Sequence, residues 1–335
     1  MRIYITGIAG FLGSNLAEAL MLRGHQVMGC DNLSAGEVGN IPDGVEWWHK
    51  QDILELGIKQ DLAGVDVLYH CAAHPHEGLS VFSPVTITRS IFEMSVRVIT
   101  DAIAAGVRRI VFCSSMARYG VGQWQPPFIE AMEPRPQDPY GIAKVAAEGV
   151  LRTLCEVHGV EWVIAVPHNI YGPRQKFDDP FRNVAAIMTN RMLQGKRPVI
   201  YGDGQQTRSF SYVDDVVDTL CKLAVSVNCP GEIFNIGPDG NEITIECLAR
   251  TLADIIGIEH NPIYLPARPT EVAHAHCSSK KIKEWFGFYP RTTTLTGLMG
   301  LVEYIRAAGP RPFNYYLPIE LPSDRMPSTW LEGRM

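Results

Sequence analysis

The sequence predicts a doubly wound α/β fold, a parallel sheet covered by helices on both faces, joined to a smaller C-terminal α/β lobe interleaved with it. Three observations predict it. Six short apolar runs, "RIYITG", "HQVMGCD", "VEWWHKQD", "VDVLYHCAA", "RRIVFCSS" and "EWVIAVPHN", alternate with segments whose apolar residues recur at helical spacing. Strands that are apolar on both faces must be covered on both sides, which parallel strands with crossover helices achieve. After about Pro167 the rhythm gives way to Pro- and Gly-rich loops such as "YGPRQKFDDPF" and "IYGDGQQTRSF", which mark the second unit.

The first strand runs directly into "TGIAGFLGSNL", where Gly7, Gly10 and Gly13 are spaced by three ahead of an amphipathic helix. Glycines there let the chain turn tightly, bring the backbone against a pyrophosphate and aim the first helical amides at its charge. The second strand ends at Asp31, 18 residues beyond Gly13, where a carboxylate can accept hydrogen bonds from adenosine ribose hydroxyls. No basic residue lies between Asp31 and Lys50 to receive a 2′-phosphate. A Rossmann-type site for NAD rather than NADP follows. Asp52 and Ile53, after the third strand, are candidate adenine-edge contacts.

The fourth strand opens into "AAHPHEGLS", which sets His74, His76 and Glu77 near the expected nicotinamide. Two readings stand: Glu77 caps a helix beginning near Leu79, or Glu77 or His76 supplies an acid or base. The fifth strand ends at Ser114 and Ser115, on the edge of the sheet where such folds bind ligands. "DPYGIAK" then places Tyr140 and Lys144 four apart in a helical pattern, hence on one face. Bringing a phenol from a pKa of about 10 to about 7 takes roughly 4 kcal/mol of preferential phenolate stabilisation. The Lys144 ammonium and a positive nicotinamide ring could supply it.

The 335 residues suffice for a full core, and a net charge of -6 argues against a polyanion-binding surface. The eight cysteines form no C-x-x-C pair and read as reduced core thiols, with no metal site expected. No segment approaches the roughly 18 apolar residues of a membrane span. A cytoplasmic protein without membrane or nucleic-acid partners is the expectation. Later helical patterns fall at "IECLARTLADIIG" and "TGLMGLVEYIRAAG"; from Pro310 the chain is proline-rich with scattered aromatics, either a packed strap or a loose tail.

Taken together, "TGIAGFLGS", "CDNLS", "HCAA", "SSMARYG", "DPYGIAK", "HNIYGPRQ", "GDGQQTRSFSYVDD" and "RPTEV" resemble the extended short-chain dehydrogenase/reductase family, and within it the nucleotide-sugar 4-epimerases of the UDP-galactose 4-epimerase type. The likeness extends to about residue 308. It implies tightly bound NAD, with Phe11, Leu12, Asn32, Ala72 and Ala73 joining the residues above at the dinucleotide. It implies Tyr140 as base, Ser115 as the hydroxyl sharing the substrate proton, and Lys144 on the nicotinamide ribose. For a UDP-sugar or other nucleotide-diphosphate sugar it implies Asn169 at the phosphate or sugar, Asn183 and Val184 beside the base, Arg208 and Arg268 on the diphosphate, and Glu271 nearby. Residues 1–167 would bind NAD, with 209–237 returning to that domain, while 168–208 and 238–335 would form the nucleotide-sugar lobe. A homodimer is common among such proteins.

Family members that dehydrate carry Asp-Glu where this chain has Met116 and Ala117, and decarboxylases carry glutamate at the Ala117 position. Their absence here points to plain C4 epimerisation of UDP-glucose/galactose or their N-acetyl derivatives, the small Ala275 matching a position that admits 2-acetamido sugars. Other readings remain: a dehydratase or ketoreductase of the same family, or a non-catalytic NAD-binding regulator. Ile91, Met94 and Val166 replace residues customary in the family.

Overall fold

The structure, a computed structural model, describes residues 1–120, 126–240 and 242–335. Its centre is a seven-stranded sheet of β1 (Arg2–Thr6), β2 (Gln26–Asp31), β3 (Trp47–Lys50), β4 (Val67–His70), β5 (Arg109–Cys113), β6 (Glu161–Pro167) and β7 (Glu232–Ile236). The spatial order is β7-β6-β5-β4-β1-β2-β3, with every neighbouring pair parallel. Strand order therefore reverses between β1 and β4. The loops leaving those two strands diverge there, which opens a crevice at their carboxyl ends.

Period-2 alternation divides the sheet's side chains between two cores. Ile3, Ile5, Val67, Tyr69, Val111 and Val163 meet Leu16 and Leu20 of helix α1 (Phe11–Met21) together with Val216, Leu220 and Leu223 of Val213–Val225. Tyr4, Met28, Leu68, Ile110, Phe112 and Ile164 face the other way, onto Val98, Ile99 and Ala102 of α2 (Met94–Ala104) and Leu151 and Cys155 of α3 (Pro139–His158). Each fully buried aliphatic side chain there contributes about 1.5–3 kcal/mol. β3, at the sheet's edge, stays half-exposed.

The single helix expected across "SIFEMSVRVITDAIAAG" is interrupted. A short helix, Pro84–Thr88, passes through a π turn at Arg89–Glu93 into α2. The Ser95 hydroxyl donates to the Ile91 carbonyl at 2.5 Å and also meets His70 Nε2 at 3.0 Å, so a side chain engages the helical ladder at the widened turn.

Helices α4 (Val184–Leu193), α5 (Val213–Val225), α6 (Ile245–Ile256) and α7 (Thr294–Ala308) follow. α4, α6 and α7 enclose a separate core of Ala185, Met188, Leu248, Leu252, Leu298, Leu301 and Ile305. Two small sheets flank it: Thr207–Ser209 between Glu242–Thr244 and His274–Ala275, and Val199–Tyr201 paired with Ile263–Leu265. Asp214 and Asp215 lie in the first turn of α5 rather than at its cap, which is Tyr212; Asp215 accepts instead from the Arg291 and Thr292 amides.

Beyond α7 the chain packs rather than hanging free. Phe313, Tyr315, Tyr316, Leu317, Met326 and Trp330 share an apolar cluster with Leu79, Phe82, Ile87, Ile91, Tyr140, Ala143 and Phe181. Ser83 Oγ donates to the Pro318 carbonyl at 2.5 Å, and the Glu320 carboxylate accepts from the Val85 and Thr86 amides, each at 2.7 Å. The segment is thus stitched to the loop and short helix that follow β4.

Candidate active site

At the crevice the first turn is built for a close backbone approach. Gly7 has φ +76°, and its amide donates to the Cys30 carbonyl at 2.8 Å. A Cβ on Gly7 would stand 2.9 Å from Ala72 Cα, and one on Gly13 only 2.1 Å from the Gly7 carbonyl oxygen. Neither position tolerates a side chain. α1 begins behind Gly10 with no side-chain cap, so its first amides remain available for an anion.

Asp31 closes the far side. Its Oδ2 accepts from the Ala9 amide at 3.1 Å and Oδ1 from Leu33 at 2.8 Å, which fixes the carboxylate while leaving lone pairs for ribose hydroxyls. Burial raises its pKa, and those amides counter the rise. Asp52 caps a short helix, accepting from Leu54 N at 2.8 Å, and receives the Asn32 amide at 3.0 Å. Asn32 and Asp52 thus form one rigid rim. With Ile53, Phe11, Leu12, Ala72 and Ala73 they line a single cavity of about 700 Å³. These residues fit a dinucleotide: a cradle that Cβ atoms would fill, open helical amides, and a fixed acid for the ribose.

The same cavity reaches Ser115, Tyr140 and Lys144. α3 starts at Asp138, whose Oδ1 accepts from the Gly141 amide at 2.9 Å, with Pro139 at the first helical position. That cap fixes where the helix begins, and so the direction of Tyr140 and of Lys144 one turn on. Lys144 Nζ donates to the Cys113 carbonyl at 2.7 Å, at the end of β5. Burial pulls its pKa down to about 8 against the opposing pull of Cys113, Cys71 and Glu148. Burial also raises the Tyr140 phenol well above its ordinary value; a hydrogen bond with Ser115 works the other way, and Glu77 adds to the rise. The protein by itself therefore holds the phenol protonated, and more positive charge is needed to make it a base.

Ser114 and Ser115 part company here. Ser114 donates to the buried Glu148 carboxylate, which pairs with Arg118 at 3.0 Å, whereas Ser115 Oγ lies on the cavity and accepts from Ala117 N at 3.2 Å. Met116 faces the cavity with its sulfur 3.5 Å from Asn169 Nδ2, and Ala117 is buried outside the lining. No carboxylate stands where an acid pair would.

At the other end, Glu271 binds Arg268 through two oxygens, at 2.8 and 3.2 Å, and lies 3.6 Å from Arg208 Nη2. Burial works to raise the Glu271 pKa and is outweighed by Arg268 and Arg208, so the carboxylate stays charged. Its role in this arrangement is to orient the two arginines. Asn169, at φ +29°, donates to the Ser209 carbonyl at 3.0 Å. Asn183 caps α4, accepting from Ala185 N at 2.9 Å and donating to the Ile170 carbonyl at 3.1 Å, and it and Val184 line the cavity.

Two expectations need correction. Glu77 is the first residue of the helix Glu77–Ser80, not the cap of one starting at Leu79; it stands exposed to the space of the cavity. The protein around that recess, with Asp138 nearby, raises its pKa while Arg208 and Arg268 oppose the rise. His76 is fully buried, its Nε2 2.9 Å from Asp179, and Tyr316 OH donates to the same carboxylate oxygen at 2.9 Å. It is a framework residue. Ala275 is buried on a strand opposite Arg208, next to the lining residues rather than among them. Tyr201 and Trp330, which do line it, escaped the sequence reading; only the aromatic content of the last segment hinted at the second.

Fold and site define a Rossmann-type NAD enzyme with a tyrosine–lysine pair at the reacting end. Residues 3–237 match the NAD dependent epimerase/dehydratase family, and the chain belongs to it. It is 32% identical over 316 residues to the UDP-glucose 4-epimerase of Mycolicibacterium smegmatis, a match spanning 91% of this chain and 99% of that protein. It is 31% identical over 329 residues to the UDP-N-acetyl-alpha-D-glucosaminuronate decarboxylase of Bacillus cytotoxicus, spanning 91% and 98%. Among solved structures it is similar to the UDP-glucose 4-epimerase of Thermotoga maritima with UDP-glucose, at a TM-score of 0.86 and 33% identity over 92% of this chain and 99% of that one.

Proposed function

We propose that the chain is a UDP-sugar 4-epimerase that works through a transient 4-keto sugar. The observation that carries this reading is the pairing of Tyr140 and Lys144 on the cavity with Met116, an inert thioether, where a dehydratase places an acid. Relatives named as UDP-glucose 4-epimerases support the substrate class.

When bound, NAD takes up the C4 hydride and returns it, and its positive ring helps to lower the Tyr140 pKa. Lys144, held by the Cys113 carbonyl, adds its own charge beside the phenol. Tyr140, as phenolate, removes the C4 hydroxyl proton, and Ser115 shares it across a hydrogen bond. The C4–H and O–H bonds break and a C4 carbonyl forms; after the sugar turns its other face, Tyr140 gives the proton back to the oxygen. Arg208 and Arg268 hold the diphosphate while the sugar turns, because charge-assisted forks keep their grip on phosphate oxygens. Product and reactant differ only at C4, and cofactor is regenerated in each cycle.

A dehydratase or decarboxylase needs one more acid or base. Glu77 is the carboxylate on this part of the cavity wall whose charge acts on Tyr140, and among the described residues it and His74 are the openings for that second reading. A homodimer is part of the proposal, supported by Ile142 and Val157, exposed at 53% and 72% on α3. So is a cytoplasmic setting, supported by eight free cysteines.

The test is a panel of UDP-, dTDP-, GDP- and CDP-sugars with products analysed by NMR and Tyr140→Phe as control. A C4-inverted UDP-sugar without net NADH release is expected. A 4-keto-6-deoxy product or carbon dioxide release would overturn the reading.

A further inference from the structure

We propose that Trp330, carried by the segment that follows α7, is a nucleotide-binding residue of the substrate site; this rests on the UDP-sugar reading above. The segment packs against the short helix after β4 and the helix that bears Tyr140.

Its placement is specific. The Trp330 ring meets Phe181 edge-on at 5.3 Å and Tyr201 at 6.3 Å, and the Arg268 guanidinium lies 6.0 Å from its centroid. The same guanidinium lies 5.2 Å from the Tyr201 ring, so Arg268 stands between two aromatic walls. Gly78 makes room, since a Cβ there would be 3.3 Å from Trp330 Cη2 and 3.4 Å from Arg268 Nη1. Neighbours hold the indole in place: Thr329 Oγ1 meets Tyr201 OH at 2.7 Å, Tyr315 OH donates to the Thr329 carbonyl at 2.9 Å, and Met335 N donates back to Tyr315 OH at 2.9 Å.

The second observation is the position of the ring. Trp330 is 4% exposed and lines the cavity with Tyr201, Arg208 and Arg268, while its indole Nε1 is turned into the protein with essentially no accessible surface. Beside two arginines and two aromatic walls, the ligand of matching chemistry is a nucleoside diphosphate, whose base can lie against the rings while its phosphates meet the guanidinium groups. The segment therefore completes the wall of the site.

UDP binding to the NAD-loaded full-length protein, followed by calorimetry, tests this, alongside steady-state kinetics with the preferred UDP-sugar. Trp330→Ala should weaken UDP at least tenfold and raise KM by more than it lowers kcat, with NAD content retained. Trp330→Phe, which keeps the fold but presents a smaller aromatic wall, should weaken UDP about threefold. If both variants bind UDP within twofold of the unmodified protein while that protein epimerises UDP-sugars, this proposal fails and the functional reading stands. If the unmodified protein binds no UDP, both fall together.

Discussion

The Ser114 hydroxyl donates to the Glu148 carboxylate, whereas Ser115 Oγ accepts from the Ala117 amide, so two adjacent serines on one cavity have different partners. Glu148 also holds Arg118 at 3.0 Å, in a pair with side chains 1% and 3% exposed. Ser114→Ala should cost about 1–3 kcal/mol of stability by leaving a buried acceptor short of a donor, with kcat within about threefold of normal. Ser115→Ala should keep its urea midpoint and lose about 10²-fold in kcat. Equal kcat losses in the two variants would contradict the division.

Tyr140→Phe keeps the ring and removes the oxygen proposed to take the proton and give it back. Its kcat should fall by about 10²–10⁴, with UDP affinity little changed. Lys144→Met should lose a similar factor at pH 7 and recover part of it as pH rises, because a phenol deprived of its neighbouring charge ionises later. A flat rate profile between pH 7 and 10 in Lys144→Met would show that the ammonium does not tune the phenol.

Glu77 faces the cavity near Arg208, Arg268 and Asp138 and influences Tyr140. If it only balances charge on the cavity wall, Glu77→Gln will leave C4 epimerisation within tenfold of normal. A loss beyond a hundredfold, or a change of product, would mean that it transfers a proton.

Stability should fall on mild acidification. His70 and His168 are fully enclosed, and burial pushes the pKa of each down to about 3. Neither nitrogen of His168 has a partner, while His70 sits between Thr6 and Ser95. With an unfolded pKa of about 6.5, the unfolded chain takes up protons that the folded one refuses as pH drops. The stability these groups confer is full above pH 6.5 and is lost toward pH 3. Between pH 6.5 and 5 the loss is about 2 kcal/mol for each histidine. Burial also lowers the His74 pKa, to about 4, so His168→Gln should reduce the drop by about a third; urea midpoints at those two pH values measure it, and an unchanged midpoint between them would refute the assignment.

What the sequence by itself determined is what local spacing can encode. Three glycines at intervals of three, Asp31 at the end of a strand, and Tyr140 and Lys144 one turn apart on a helix each specify a backbone geometry within a few residues of chain. From them the parallel sheet, the NAD cradle and the reactive pair could be read, and the family with them. The tertiary structure alone decided how distant segments use their side chains. The immediate neighbours of Glu77 suggest a helix start and leave a cap or an acid as its readings; only folding brings it near Arg208 and Arg268, some 130 and 190 residues away. The contacts of Asn183 with Ile170 and Ala185, which hold its amide at the cavity wall, are likewise set by the fold. The last segment gave no periodic signal, because a strap without regular structure is fixed by the apolar surface it covers, here the helix that bears Tyr140. Periodicity records which face of an element is buried; it carries no information about which remote residue does the burying.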